Sequence, residues 1–174
     1  ILKEATTREI ANDAMQLSMR IKENIAFDSV GLALKEYASV ELDLYQNKTE
    51  RALEKIQQLK EGYVMVEDSG RQVKKTFSNF SILDDVYWLE ADMRMKSGEF
   101  DKSLELLQKI LDNYGEDVLA DDAYFMQGEI YERHLGNLEK AKEIYRDFLD
   151  KFPGSVYAAE ARKRFRTLRG DFEN

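Results

Sequence analysis

Few residue types in this sequence could do chemistry, and they are poorly assembled for it. His134 is the one histidine in 174 residues, and there are no cysteines. A base or metal ligand at His134 would need partner ligands at a recognisable spacing, and none stands near it. A turn before Gly136 is the plainer role. The acidic pairs Asp84-Asp85 and Asp121-Asp122 come next. Adjacent helical residues point about 100° apart, so neither pair converges on one cation. Both pairs suit the first turn of a helix, where carboxylates meet the positive end of the dipole. There is no phosphate loop, dinucleotide fingerprint, zinc-peptidase pair or nucleophile elbow. The reading is a non-enzymatic chain with no metal and no cofactor.

Arg162-Lys163-Arg164-Phe165-Arg166, with Arg169, is the strongest charge run. It could meet an anionic surface such as lipid head groups or nucleic acid. The simpler reading is a solvated final helix with cations at its favourable C-terminal end. A net charge of -8 also argues against nucleic acid as the main partner. Without cysteine, disulfides and thiolate metal sites are excluded. No apolar run approaches the ~20 residues needed to span a bilayer.

The elements that carry these residues are set by a repeat. GEFDKSLELLQKILDNYG, from Gly98 to Gly115, reappears as GNLEKAKEIYRDFLDKFPG, from Gly136 to Gly154, at an offset of 38 residues. A constant offset of that size predicts stacked units of two antiparallel helices. Helix starts of one type recur at Ile10-Ala11-Asn12-Asp13-Ala14, Ile82-Leu83-Asp84-Asp85-Val86, Leu119-Ala120-Asp121-Asp122-Ala123 and Tyr157-Ala158-Ala159-Glu160-Ala161. Their intervals are 72, 37 and 38 residues. Helices are predicted over 8–23, 29–46, 49–60, 83–97, 100–113, 118–134, 137–151 and 156–168, with Asn47 and Glu50 as a capping-box-like pair. Residues 61–81, with Gly62, Gly70 and a Val64-Met65-Val66 run, read as an irregular insertion. The single proline and 34% charged residues suit amphipathic helices.

Tyr124, Gly128, Tyr131, Ala141, Tyr145 and Pro153 follow the order aromatic, glycine, aromatic, alanine, aromatic, proline. This order resembles the tetratricopeptide repeat (TPR) signature. A mid-helix glycine costs about 1 kcal/mol against alanine, so close approach of a partner helix at Gly128 is expected, with Ala141 facing it. Gly128 to Gly136 is one residue longer than the family spacing, and the extra residue is placed in the His134-Leu135 turn. The other copy carries Ala91 and Ser103 at the small positions.

The resemblance implies an all-α, right-handed α–α superhelix (a TPR-like solenoid) forming a single domain over 1–174. Its parts are an irregular portion 1–81, regular repeats 82–153 and a capping helix 155–169. The chain opens Ile1-Leu2-Lys3 without an initiator methionine, and it reads as the C-terminal part of a longer protein. TPR proteins hold a peptide or helix of a partner in a concave groove. The family register sends Trp88, Asp92, Phe125, Glu129 and Glu132 to that groove, which predicts a partner apolar at its centre and basic at its flanks. The alternative for Trp88 is a core role, packed against the insertion 61–81. Phe152-Pro153-Gly154-Ser155-Val156-Tyr157-Ala158 is most similar to bacterial envelope TPR proteins, the outer-membrane-assembly lipoproteins and partners of the Tol–Pal system. That likeness implies a periplasmic or envelope setting. Two other functions stay open: an accessory domain of a larger enzyme, and a homo-oligomer pairing through its N-terminal edge.

Overall fold

The computed structural model describes residues 15, 17–19, 21, 22, 31–77 and 81–171. The readings of Ile1, Leu2 and the Ile10–Ala14 helix start lie outside them. The described residues between 15 and 22 are helical. Beyond them come α1 (Leu32–Tyr45), α2 (Thr49–Lys60), β1 (Tyr63–Asp68), β2 (Arg71–Thr76), α3 (Leu83–Lys96), α4 (Phe100–Asn113), α5 (Ala120–Glu129), a π-helical turn (Ile130–His134), α6 (Leu138–Lys151) and α7 (Ala158–Arg169). The chain divides into two compact units, Ile1–Val86 and Tyr87–Asn174.

In the first unit α1 and α2 form an antiparallel pair. Ala33, Tyr37 and Val40 of α1 and Ala52, Ile56 and Leu59 of α2 are buried, at the i, i+4, i+7 spacing of a helical stripe. The turn between them differs from the capping-box reading. Asn47 takes a left-handed conformation and α2 starts after Lys48 with no side-chain cap. The Lys48 amide donates to Asp43 O at 2.8 Å, so Asn47 serves the turn rather than the helix. Lys55 of α2 is drawn inward: its Nζ lies 2.7 Å from Asp43 Oδ2 and donates to Ser39 Oγ at 2.5 Å.

The described residues of the 61–81 stretch are not irregular. They contain an antiparallel hairpin in the register Tyr63↔Thr76 to Asp68↔Arg71. Its two-residue turn, Ser69-Gly70, has positive φ at both positions (52° and 77°). A turn of that kind matches the twist of the flanking strands. Val64 is buried, whereas every residue of β2 is exposed.

The second unit contains the repeats. Acidic residues occupy the first turns of α3, α5 and α7, as the dipole favours. Leu106, Leu107 and Ile110 of α4 bury against Ala91, Ala123 and Ile130, and Ser103 Oγ donates to Ala91 O at 2.8 Å. The two small residues of the degenerate copy therefore touch. Gly98 and Gly136 take the left-handed conformation that lets each helix turn back. Asn137 caps α6 by accepting from the Lys140 amide at 3.1 Å.

Two details of the last repeat depart from the sequence reading. The extra residue lies inside the helix, not in the His134-Leu135 turn. Residues 130–134 wind as a π turn, and the Leu135 amide reaches back to Ile130 O at 3.0 Å. An i→i+5 bond absorbs one residue without breaking the helix. The surface pressed on Gly128 is the Tyr145 ring rather than Ala141: a Cβ at Gly128 would sit 2.6 Å from Tyr145 Cε1.

Candidate functional site

The 3.6-residue period gives α5 and its π turn two opposed polar faces. One carries Asp122, Phe125, Glu129 and Glu132, and the other Tyr124, Gln127 and Tyr131.

The first face is met by α7. Phe125 is 6% exposed; its ring stacks on Tyr157 at 4.7 Å and meets Phe148 edge-on at 5.7 Å. It is a core residue and does not line an open groove. Arg164 of α7 closes the same face. Its Nη1 contacts Glu132 Oε2 at 2.7 Å, its Nη2 Glu129 Oε1 at 3.1 Å and its Nε Glu160 Oε1 at 3.0 Å. The guanidinium lies 5.7 Å from the Phe125 ring centre and 5.9 Å from that of Tyr145. Arg164 thus departs from the solvated run in which the sequence placed it: its side chain is 12% exposed.

The tyrosines complete the closure. The Tyr145 hydroxyl donates to Glu132 Oε2 at 2.8 Å, and Tyr157 to Asp122 Oδ1 at 2.7 Å. Burial, then the hydrogen bond to Glu132, pushes the Tyr145 phenol up; burial and Asp122 do the same for Tyr157. Burial also raises the Asp122 carboxyl, and the Tyr157 bond offsets part of that rise. Burial works against the Arg164 cation, but its bond to Glu132 and the nearby carboxylates hold its pKa above the ordinary value. Arg164 contacts three carboxylates, of which Glu129 also pairs with Arg133 at 3.3 Å, and α7 is the element that supplies this guanidinium.

Trp88 and Asp92 stand apart from this cluster. Trp88 is partly buried against the core of Ala91, Leu106 and Ile110. Asp92 pairs along its own helix with Lys96 at 2.6 Å. Both remain partly exposed. His134 stacks on Phe100 at 4.6 Å.

The second face of α5 is open. It floors a cleft of about 560 Å³ between α4 and α6, within the range usual for ligand sites. Asp101 and Glu105 of α4 line one side, and Lys140 and Lys151 of α6 the other, with Tyr124, Gln127 and Tyr131 between them. Gln127 Nε2 donates to Gln108 Oε1 at 3.2 Å. Lys151 Nζ donates to the Tyr124 hydroxyl at 3.3 Å and lies 4.4 Å from its ring centre. Neither Asp101 nor Glu105 is ion-paired among the described residues. The sequence reading missed this cleft. Its signal is the second period on α5, Tyr124, Gln127 and Tyr131.

Among the described residues no group of three or more ligating side chains is placed to hold a metal, and no helix is long and apolar enough to cross a membrane. The model of a tetratricopeptide repeat family matches residues 122–155, which span most of α5, the π turn, α6 and the Pro153 turn. The chain therefore carries a tetratricopeptide repeat within an all-α, TPR-like helical-repeat fold. No curated protein matches the chain.

Proposed function

We propose that this chain is a non-catalytic protein-binding scaffold whose partner segment lies in the cleft between α4 and α6. Tetratricopeptide repeats generally mediate protein–protein interaction, and one of them builds the floor and one wall of this cleft. A single observation carries the choice of surface. Unpaired Asp101 and Glu105 face Lys140 and Lys151 across a floor of tyrosine and glutamine, while the acids on the opposite face of α5 are already bonded to Arg164. The partner is an extended segment with a basic side chain for the Asp101/Glu105 wall and an acidic one for the Lys140/Lys151 wall. Tyrosine between them supplies contact area at low entropic cost. Of the five residues expected in the groove, Trp88 and Asp92 lie apart from the Arg164 cluster and form a second point of contact. A cell-envelope setting is proposed on the likeness of residues 152–158 alone.

The test is selection of a displayed random-peptide library on the full chain. Enriched peptides should pair a basic with an acidic residue. Glu105→Lys or Lys151→Glu, each exposed and outside the core, should weaken them at least tenfold. Peptides that ignore both changes but are lost with Trp88→Ala would move the site to the α3 face.

A further inference from the structure

The hairpin has a feature that neither the repeat nor the cleft uses. We propose that the free edge of β2 docks an acidic, extended segment of another protein, which adds to the hairpin as a third strand.

Backbone geometry defines that edge. The two-residue turn makes Asp68↔Arg71 a hydrogen-bonded pair, and such pairs alternate along an antiparallel ladder. At the far end the Phe77 amide donates to Gly62 O at 3.0 Å, which fixes the same alternation. The amides and carbonyls of Arg71, Val73 and Lys75 thus face β1, and those of Gln72, Lys74 and Thr76 face away. They present a ready template for strand pairing. β1 is the strand that packs on α1 and α2, and all six residues of β2 are exposed.

Charge selects the occupant. Arg71-Gln72-Val73-Lys74-Lys75-Thr76 carries three cations and no acid. Arg71 sits opposite Asp68, but Lys74 and Lys75 have no ion pair among the described residues. Lys74 is held over the Tyr63 ring, 3.8 Å from its centre, which keeps its ammonium at the strand rather than trailing into solvent. A second copy pairing β2 on β2 would set lysines among lysines, and like charges opposite each other are destabilising. Cations on an edge thus guard against self-association. They leave the edge open to a strand of opposite charge, recognised by main-chain bonds for affinity and by alternate side chains for specificity.

The experiment uses the full chain and a fluorescent ten-residue peptide alternating threonine and glutamate. Its control has the same charge, with proline at alternate positions so that it cannot pair as a strand. Anisotropy should show salt-sensitive binding of the first peptide and at least tenfold weaker binding of the second. Lys74→Glu with Lys75→Glu should abolish binding. Gln72→Pro removes one outward amide without changing charge, and should weaken binding several-fold while circular dichroism stays that of the parent. Three outcomes would each overturn the proposal: equal binding of the proline peptide, no binding of either peptide, or sedimentation showing that the parent pairs with itself through this edge.

Discussion

On one face of α5, Asp122, Phe125, Glu129 and Glu132 are met by Tyr157, the residue before α7, and by Arg164 of α7. On the other, Tyr124, Gln127 and Tyr131 floor a cleft with unpaired Asp101 and Glu105 on one wall, and Lys151 with Lys140, which pairs with Glu143, on the other. Both faces offer aromatic and polar groups at helical spacing, and from α5 alone they are equally good binding surfaces. What separates them is the next helix. In a stack of helical pairs each unit contacts its neighbours, so a face that is groove in one repeat becomes interface where the next helix covers it. Arg164 turns three carboxylates into a closure instead of a lure for a basic partner.

Four tests probe that contrast, in falling order of effect. Phe148 is fully buried beside Tyr124 and Phe125, where it supports both faces. Phe148→Ala should cost about 3–5 kcal/mol, read as a lowered urea midpoint. Gly128→Ala comes next. Alanine is the better helix former by about 1 kcal/mol, but its Cβ would meet the Tyr145 ring, whose hydroxyl is tied to Glu132. Overpacking of that kind should leave a net loss of about 1–3 kcal/mol, and an unchanged midpoint would contradict the Gly128–Tyr145 contact.

The third test addresses the closure itself. A double-mutant cycle of Arg164→Met with Glu132→Gln should show a coupling of about 0.5–3 kcal/mol. Glu105→Gln in the cleft should stay within about ±0.5 kcal/mol of the parent. Equal and small effects on both faces would erase the distinction.

The smallest effect is a pH dependence. Burial raises the Asp122 carboxyl in the folded chain, so its contribution to stability is fully present below the unfolded value and is lost as pH rises through the folded one. Asp122→Asn can still accept from Tyr157 and removes the titration. The variant should therefore gain on the parent as pH rises from about 3 to 7, by less than about 1 kcal/mol. A gain on acidification instead would reverse the sign assigned to this group.

The sequence was informative where one rule decided the outcome. Helices 49–60 and 100–113 match α2 and α4 from end to end, because apolar spacing and turn residues agree there. The extra residue before Gly136 was visible as a count, but a count does not say whether a loop or a π turn holds it. Gly62 and Gly70 look like loop punctuation and so hide the hairpin. The two-residue Ser69-Gly70 link between Val64-Met65-Val66 and Gln72-Val73 was the overlooked strand signal. The site was less legible. The family register names the residues on one face of α5, but Arg164, 32 residues beyond Glu132, decides whether that face is open. Arg164 sits in a run of exposed cations, and only packing separates it from Arg162 and Lys163.

The most direct test of the account is a map of backbone amide, aromatic ring and arginine Nε chemical shifts of the full chain as a library-selected peptide is added. The account predicts shifts at residues 101–108, 124–131 and 140–151, with the side chains of Phe125 and Arg164 unmoved. Shifts centred on Phe125, Glu129 and α7, with Arg164 released from Glu132, would mean that the closed face opens to a partner, and would contradict it.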